Sequence, residues 1–168
     1  MLWYYADMNG KNSKPYAIMV FGVPMSGKTQ FATKFSRKFR APLLNFESIP
    51  GISRKIFLSV VAQIADSQQN LVIDHGIDTY KQREELRRTL HSAGYRVVIV
   101  WIQTDVNTIK RRLRSHLKSV ERAKSYFEAL LDQLEAPEDS EDTIVLSGKH
   151  TFDGQLKTVL SALSKNDS

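Results

Sequence analysis

Cysteine is absent from the 168 residues, so neither a disulfide framework nor a thiolate metal site is available to organise this chain. Such a composition fits a reducing compartment, and we expect a cytoplasmic protein. Histidine is scarce, and no His/Asp/Glu grouping has metal-ligand spacing. Long hydrophobic runs are missing as well. Met1-Leu2-Trp3-Tyr4-Tyr5 is apolar but short, lacks a basic start and gives way to polar residues from Asp7 to Lys14. It is neither a signal peptide nor a membrane span, and no membrane partner is expected. Residues 1–14 read as a flexible leader and 15–168 as a single domain, a natural size for one hydrophobic core. Internal repeats, low-complexity tracts and an aromatic-rich signature for reading single strands are also lacking.

What the chain has is positive charge, unevenly placed. The formal net charge is +6. Lys110, Arg111, Arg112, Arg114, Lys118, Arg122 and Lys124 make a basic block, and an acidic one from Asp132 to Asp142 follows. The basic block suits nucleotide phosphates, a nucleic-acid backbone or solubility alone. Nucleic acid is therefore one partner to keep in view.

The strongest signal is Gly22-Val23-Pro24-Met25-Ser26-Gly27-Lys28-Thr29, which fits the phosphate-binding pattern G-x-x-x-x-G-K-S/T without substitution. Tyr16 to Phe21 before it is a continuous apolar run of the kind a strand buried on both faces needs. Phe31, Phe35 and Phe39 after it recur every four residues, which predicts a helix with one core face. Strand, glycine loop, helix is the required order. Glycines at 22 and 27 let successive N–H groups converge on phosphate oxygens, and the helix N-terminus adds partial positive charge. Lys28 is expected to reach the β- and γ-phosphates of ATP, and the Thr29 hydroxyl to take a place on Mg2+. All eight loop residues are candidate cofactor-binding positions.

Further along, Leu43 to Phe46 predicts a second strand ending at Glu47, and Ile52 to Asp66 a helix carrying Ile56, Val60 and Ile64 with Phe57 and Val61 beside them. Leu71-Val72-Ile73-Asp74 predicts a third strand ending in a carboxylate, the Walker B form. Tyr80 to Ala93 is a charged helix with Leu86 and Leu90 inward, and Arg96 to Ile102 a fourth strand. Asp105 caps the next helix, whose inner face carries Val106, Ile109, Leu113 and Leu117. A helix from Val120 to about Glu135 has Phe127, Leu130, Leu131 and Leu134 as core candidates. Thr143 to Leu146 is the fifth strand, and Asp153 to Leu163 the closing helix. Strands alternating with helices imply an α/β three-layer fold around a parallel sheet.

From Tyr16 to about Leu163 these motifs resemble the small P-loop kinases, in particular the zeta-toxin and polynucleotide-kinase-like group that includes many AAA-type ATP-binding proteins. The resemblance rests on the loop, on Glu47 after the second strand, and on Leu71 to Gly76 with Arg83 in the next helix. Trp101 to Asp105 before the arginine-bearing helix and Ala136-Pro137-Glu138 complete it. It implies a P-loop NTPase fold with a five-stranded parallel sheet in the order 2-3-1-4-5 and a small helical lid over about residues 108–135. The implied reaction is transfer of the ATP γ-phosphoryl group to a hydroxyl of a small-molecule or nucleotide-like acceptor.

Roles follow from what phosphoryl transfer needs: aligned oxygens, Mg2+ and positive charge around the γ-phosphate. Lys28, Glu47, Asp74, Arg112 and Arg114 are the candidate catalytic residues. Glu47 orients or deprotonates the acceptor, and Asp74 with Thr29 organises Mg2+. Arg112, then Arg114, contacts the transferring phosphates. Glu47 stands where the family commonly has Asp, and His116 where it often has a second Arg. His75 and His116 are expected to be surface or supporting groups. The alternatives are a polynucleotide 5′-hydroxyl kinase, phosphorylation of a nucleotide sugar as in the zeta toxins, and a non-catalytic ATP-binding module with a degenerate lid. Acceptor recognition is expected in the loops Phe46 to Arg54 and Gly76 to Tyr80.

Overall fold

The computed structural model describes residues 14–118 and 120–166, without the side chains of 120, 123, 124, 130, 131 and 166. The leader expected over residues 1–14 lies outside these residues except for Lys14, and the side chains of Leu130 and Leu131 lie outside them too. The elements run β1 (Tyr16–Phe21), α1 (Lys28–Phe39), β2 (Leu43–Asn45), a 3-10 turn (Phe46–Ser48), α2 (Arg54–Ala65), β3 (Leu71–Asp74) and α3 (Tyr80–Ser92). They continue with β4 (Arg96–Gln103), α4 (Val106–Leu117), α5 (Val120–Leu131), β5 (Thr143–Ser147) and α6 (Phe152–Asn166).

The five strands form one parallel sheet in the order β2-β3-β1-β4-β5. Alternation along β1 divides the core between the two faces of the sheet. Tyr16, Ile18 and Val20 meet Phe31, Phe35, Leu156 and Val159 of α1 and α6. Ala17, Met19 and Phe21 meet Phe57, Val61, Leu86 and Leu90 of α2 and α3. With both faces covered, β1 is buried along its whole length, which explains its unbroken apolar sequence.

Register sets the chemistry at one edge. Asp74 pairs with Val20 on one side and with Asn45 on the other, while Phe21 pairs with Trp101. The segments after β1, β2, β3 and β4 therefore leave the sheet at the same carboxyl edge, where ligands of open α/β sheets bind.

Two expected faces are corrected by the packing. On α2 the row that meets the sheet is Phe57, Val61 and Ala65, and Ile56 is 55% exposed. The apolar stripe is wider than the buried one, and its outer row lies along the flank. Val106 is 49% exposed, because the first position after the Asp105 cap precedes the turn on which Thr108 and Ile109 face inward. The second strand ends one residue early, at Asn45, whose side chain accepts from Glu47 N and starts the 3-10 turn.

The phenylalanine row of α1 is the clearest source of stability. Phe31 and Phe35 are at most 2% exposed, with Phe35 stacked obliquely on Phe39 at 4.5 Å between ring centres. Phe35→Ala is expected to cost about 3–5 kcal/mol. Urea unfolding of the two proteins measures it, and a loss under about 1 kcal/mol would show that this helix does not carry the core.

Candidate active site

Helix α1 begins at Gly27, φ 104°, with no side chain among the described residues capping it and no acid in its first turn. Helices α2, α3 and α4 are capped by Ser53, Thr79 and Asp105. The first N–H groups of α1 are thus left for an anion, and the helix dipole favours one there. Gly22 is required by space: a Cβ would stand 2.7 Å from Ile102 O and 2.9 Å from Ser26 Oγ. That Ser26 hydroxyl is fully buried and finds no partner among the described residues. Leaving it so costs on the order of 1–3 kcal/mol, and an oxygen of a bound phosphate would relieve the cost.

The loop is held from outside by neighbouring elements. Thr104 Oγ1 donates to Ser26 O at 3.0 Å, and Arg112 Nη1 donates to Met25 O at 2.7 Å. Met25 has φ 66°, a left-handed value uncommon for a residue with a side chain. Its side chain and that of Val23 pack on Ile109 and Leu113 of α4 and Phe127 of α5. The helix pair therefore sits on the loop itself.

On one flank of the loop is a cavity of about 290 Å3, lined among others by Lys28, Glu47, His75, Asp78, Tyr126 and Gln133. Lys28 is only 8% exposed. His75 adopts φ 71° and stands between two carboxylates, with Nδ1 3.2 Å from Asp74 Oδ2 and Nε2 3.3 Å from Glu47 Oε2. Asp74 is fully buried, and among the described residues neither of its oxygens takes a hydrogen bond of sound geometry. A bare buried carboxylate is expensive unless a cation pairs it. Asp78 is the other acid of the cavity. Burial pushes its carboxyl above the ordinary aspartate value; Lys28 opposes the rise, Glu47 adds to it, and His75 and Arg83 oppose it further.

Arg54 braces the segments that follow β2 and β3. Its Nε donates to Glu85 at 3.1 Å, and its two Nη atoms donate to Gly76 O and Gln82 O. On the other flank of the phosphate loop a smaller cavity, about 100 Å3, is bordered by Lys34, Arg112, Gly148, His150 and Gln155. Gly148 is in tight contact there, since a Cβ would fall 2.5 Å from Ser26 O. Asp105, which caps α4, also pairs with Lys149 at 3.0 Å. The Thr108 N–H, then Lys149 and the Thr108 hydroxyl, hold its carboxyl well below the usual aspartate range.

Behind the 290 Å3 cavity lies Arg83, 0% exposed. Its Nε and Nη2 grip the two oxygens of Glu141 at 2.7 and 2.9 Å. Nη1 donates to the carbonyls of Ile77, Asp78 and Glu135, and Nη2 also to Ala136 O. The guanidinium stands 5.1 Å from the centre of the Phe21 ring. Burial alone would raise the Glu141 carboxyl. The bonds from Arg83, the Glu138 N–H and the charges of Arg83 and Arg87 overcome that and hold it below the ordinary glutamate range.

The residues singled out from the sequence divide three ways. Lys28 and Glu47 meet at one cavity, with Asp74 reached from it through His75. Thr29 is exposed in the first turn of α1, and Arg112 lies on the opposite flank, on Met25 O. Arg114 and His116 are exposed on α4, and Arg114 lines neither cavity. Asp78, Tyr126 and Gln133 escaped notice. Asp78 lies in the loop expected to hold the acceptor, but nothing in its sequence neighbours marks it out from a solvated acid. Pro24 and Met25, expected with the rest of the loop at the cofactor, join the loop to the cavity lining and to the helix pair.

No protein-family model matches the chain, and no curated protein matches it in sequence. Solved structures match it in fold. A sugar kinase from Janibacter sp. is 21% identical at a TM-score of 0.65, over 90% of this chain and 95% of that one. A gluconokinase from Sinorhizobium meliloti is 18% identical at 0.65, over 92% and 94%. The APS kinase of Mycobacterium tuberculosis, solved with AMPPNP and APS, is 19% identical at 0.65, over 90% and 98%. The fold is thus that of the small P-loop kinases, with the expected strand order.

The Arg83–Glu141 pair makes two tests available. Arg83→Ala leaves a carboxylate buried alone and is expected to cost about 3–5 kcal/mol in urea unfolding. The native state binds the Glu141 proton less tightly than the unfolded chain does. Its stabilisation is therefore complete above the ordinary glutamate range and is lost as pH falls through the depressed value. The stability difference between the native protein and Glu141→Gln should accordingly shrink as pH falls from 6 towards 3; a difference that grows on acidification would contradict the pairing.

Proposed function

We propose that the protein is an ATP-dependent kinase that transfers the γ-phosphoryl group to a hydroxyl of a small-molecule acceptor. One observation carries the reading. A glycine loop with uncapped helix N–H groups presents Lys28 to the same cavity as Glu47, with the buried carboxylate of Asp74 adjoining it. The solved neighbours named as kinases of a sugar, of gluconate and of APS support a small acceptor.

The two flanks of the loop divide the substrates. The Glu47 and Asp78 flank repels phosphates, so the nucleoside and most of the phosphate charge of ATP lie towards Lys34, Arg112 and His150, and only the γ-phosphoryl end reaches the acid flank, where Lys28 offsets the repulsion. Lys28 and the first N–H groups of α1 hold the charge that spreads over the transferring oxygens. Glu47 takes the acceptor proton, and His75 fixes the direction of its carboxylate. Arg112 holds the loop through Met25 O while facing the nucleotide flank.

Asp74 and Thr29 are the residues that would hold Mg2+. Their oxygens suit that hard cation, and the bare buried Asp74 carboxylate gives it a counter-charge. When bound, Mg2+ neutralises charge on the transferring phosphates. Within the P-loop kinases, the placement beside the zeta-toxin and polynucleotide-kinase-like group rests on the motif residues. The exposed basic groups Arg111 and Arg114 of α4 and Lys118 at its C-terminal cap favour a second reading, a polynucleotide 5′-hydroxyl kinase.

The test is transfer of labelled γ-phosphate from ATP to a deproteinised metabolite extract and, in parallel, to a 5′-hydroxyl oligonucleotide. Label in the extract is expected. Lys28→Ala should lower transfer by roughly 10²–10³-fold, and Glu47→Gln should lower kcat by about 10²–10⁴-fold with little change in ATP binding. Label in the oligonucleotide would promote the second reading. ATP binding without transfer to either would favour a nucleotide-binding module.

A further inference from the structure

On the reading that the 290 Å3 cavity receives the acceptor, its lining narrows the kind of acceptor it takes. The geometry points to an acceptor with no anionic group: a compact neutral polyol, or its amino derivative, held by Asp78 and phosphorylated at the hydroxyl that faces Glu47.

Charge decides this. Two carboxylates, Glu47 and Asp78, face the cavity. Lys28 is the single Lys or Arg among the described residues that line it, and its place in the phosphate loop commits it to ATP. The two arginines behind the wall are already occupied. Arg54 directs its three nitrogens to Glu85, Gly76 O and Gln82 O. Arg83 is enclosed by Glu141 and four carbonyls. Recognition of a phosphate, sulfate or carboxylate on an acceptor ordinarily uses a guanidinium fork, and neither fork is turned to this cavity. A bound triphosphate adds still more negative charge next to the two acids.

Asp78 shows what is wanted instead. Desolvated beside Glu47, its carboxyl holds a proton above the ordinary aspartate value. A hydroxyl or an ammonium group donating to it would restore what burial removes, the ammonium more so. Tyr126 and Gln133 add an aromatic face and an amide, which suit the apolar face and the hydroxyls of a sugar-like ring. Ligand pockets run to about 300–1,000 Å3, so this one is of monosaccharide scale rather than that of a nucleic-acid strand.

The step balances without another reactant. The acceptor oxygen bonds to the γ-phosphorus as the bond from that phosphorus to the β–γ bridging oxygen breaks. The hydroxyl proton passes to Glu47, and ADP leaves with the bridging oxygen.

A deproteinised cell extract, split by anion exchange before reaction, supplies the probes. The flow-through holds neutral and cationic compounds, and the salt eluate holds anions. Each pool is offered to the 168-residue protein with γ-labelled ATP and Mg2+. Label entering the flow-through pool at least about tenfold over the eluate is the result expected. Label confined to the eluate would overturn the inference while leaving the kinase reading intact. Label in neither pool would overturn the kinase reading and the inference together. With the labelled flow-through fraction as acceptor, Asp78→Asn should raise the acceptor KM about tenfold and leave the ATP KM within about twofold. An unchanged acceptor KM would remove Asp78 from acceptor binding.

Discussion

A guanidinium with no exposure to water must find acceptors for all its N–H groups, and at Arg83 this requirement draws together parts of the chain that are distant in sequence. It gathers the loop after β3 through Ile77 O and Asp78 O, and the stretch after α5 through Glu135 O, Ala136 O and Glu141. Both stretches line the 290 Å3 cavity, one through Asp78 and the other through Gln133. The ring of Phe21, last residue of the central strand, lies against the same guanidinium. A hydrophobic pair of equal volume could fill the space, but it would not position four backbone carbonyls.

The second constraint is the uncapped start of α1. Helix N–H groups without a side-chain cap destabilise the free protein and favour an anion. The loop is kept in that state by bonds from outside, Thr104 to Ser26 O and Arg112 to Met25 O, together with the packing of Val23 and Met25 against α4 and α5. The arginine-bearing helix thus acts first on the shape of the loop. On the kinase reading proposed above, a nucleotide on the loop would be coupled to the position of α4 and α5, because a shift of α4 moves the Met25 carbonyl that Arg112 holds.

Much of the fold was legible because its signals are repetitive. Apolar runs in β1, β3 and β4 and the four-residue spacing of Phe31, Phe35 and Phe39 each state their environment several times over. The strand order came from the resemblance rather than from any spacing. Errors arose where a pattern was broader than the surface it covers, as at Ile56, or where a cap moved the first inward residue along by two, as at Val106. Of the candidate site, the loop, Asp74 at the end of β3 and Glu47 in the turn after β2 were legible from sequence motifs. Asp78, Tyr126 and Gln133 were not, since their significance comes from tertiary approach. Arg83 was singled out by the resemblance, but its partner was not, because Glu141 lies 58 residues away.

A crystal structure with Mg2+ and a non-hydrolysable ATP analogue tests the central claim most directly. The β- and γ-phosphates should lie on the first N–H groups of α1, with the γ end open to Lys28 and Glu47 and the nucleoside towards Arg112 and His150. A γ-phosphate turned away from the Glu47 cavity, or an analogue bound elsewhere on the molecule, would contradict a kinase that works across this loop.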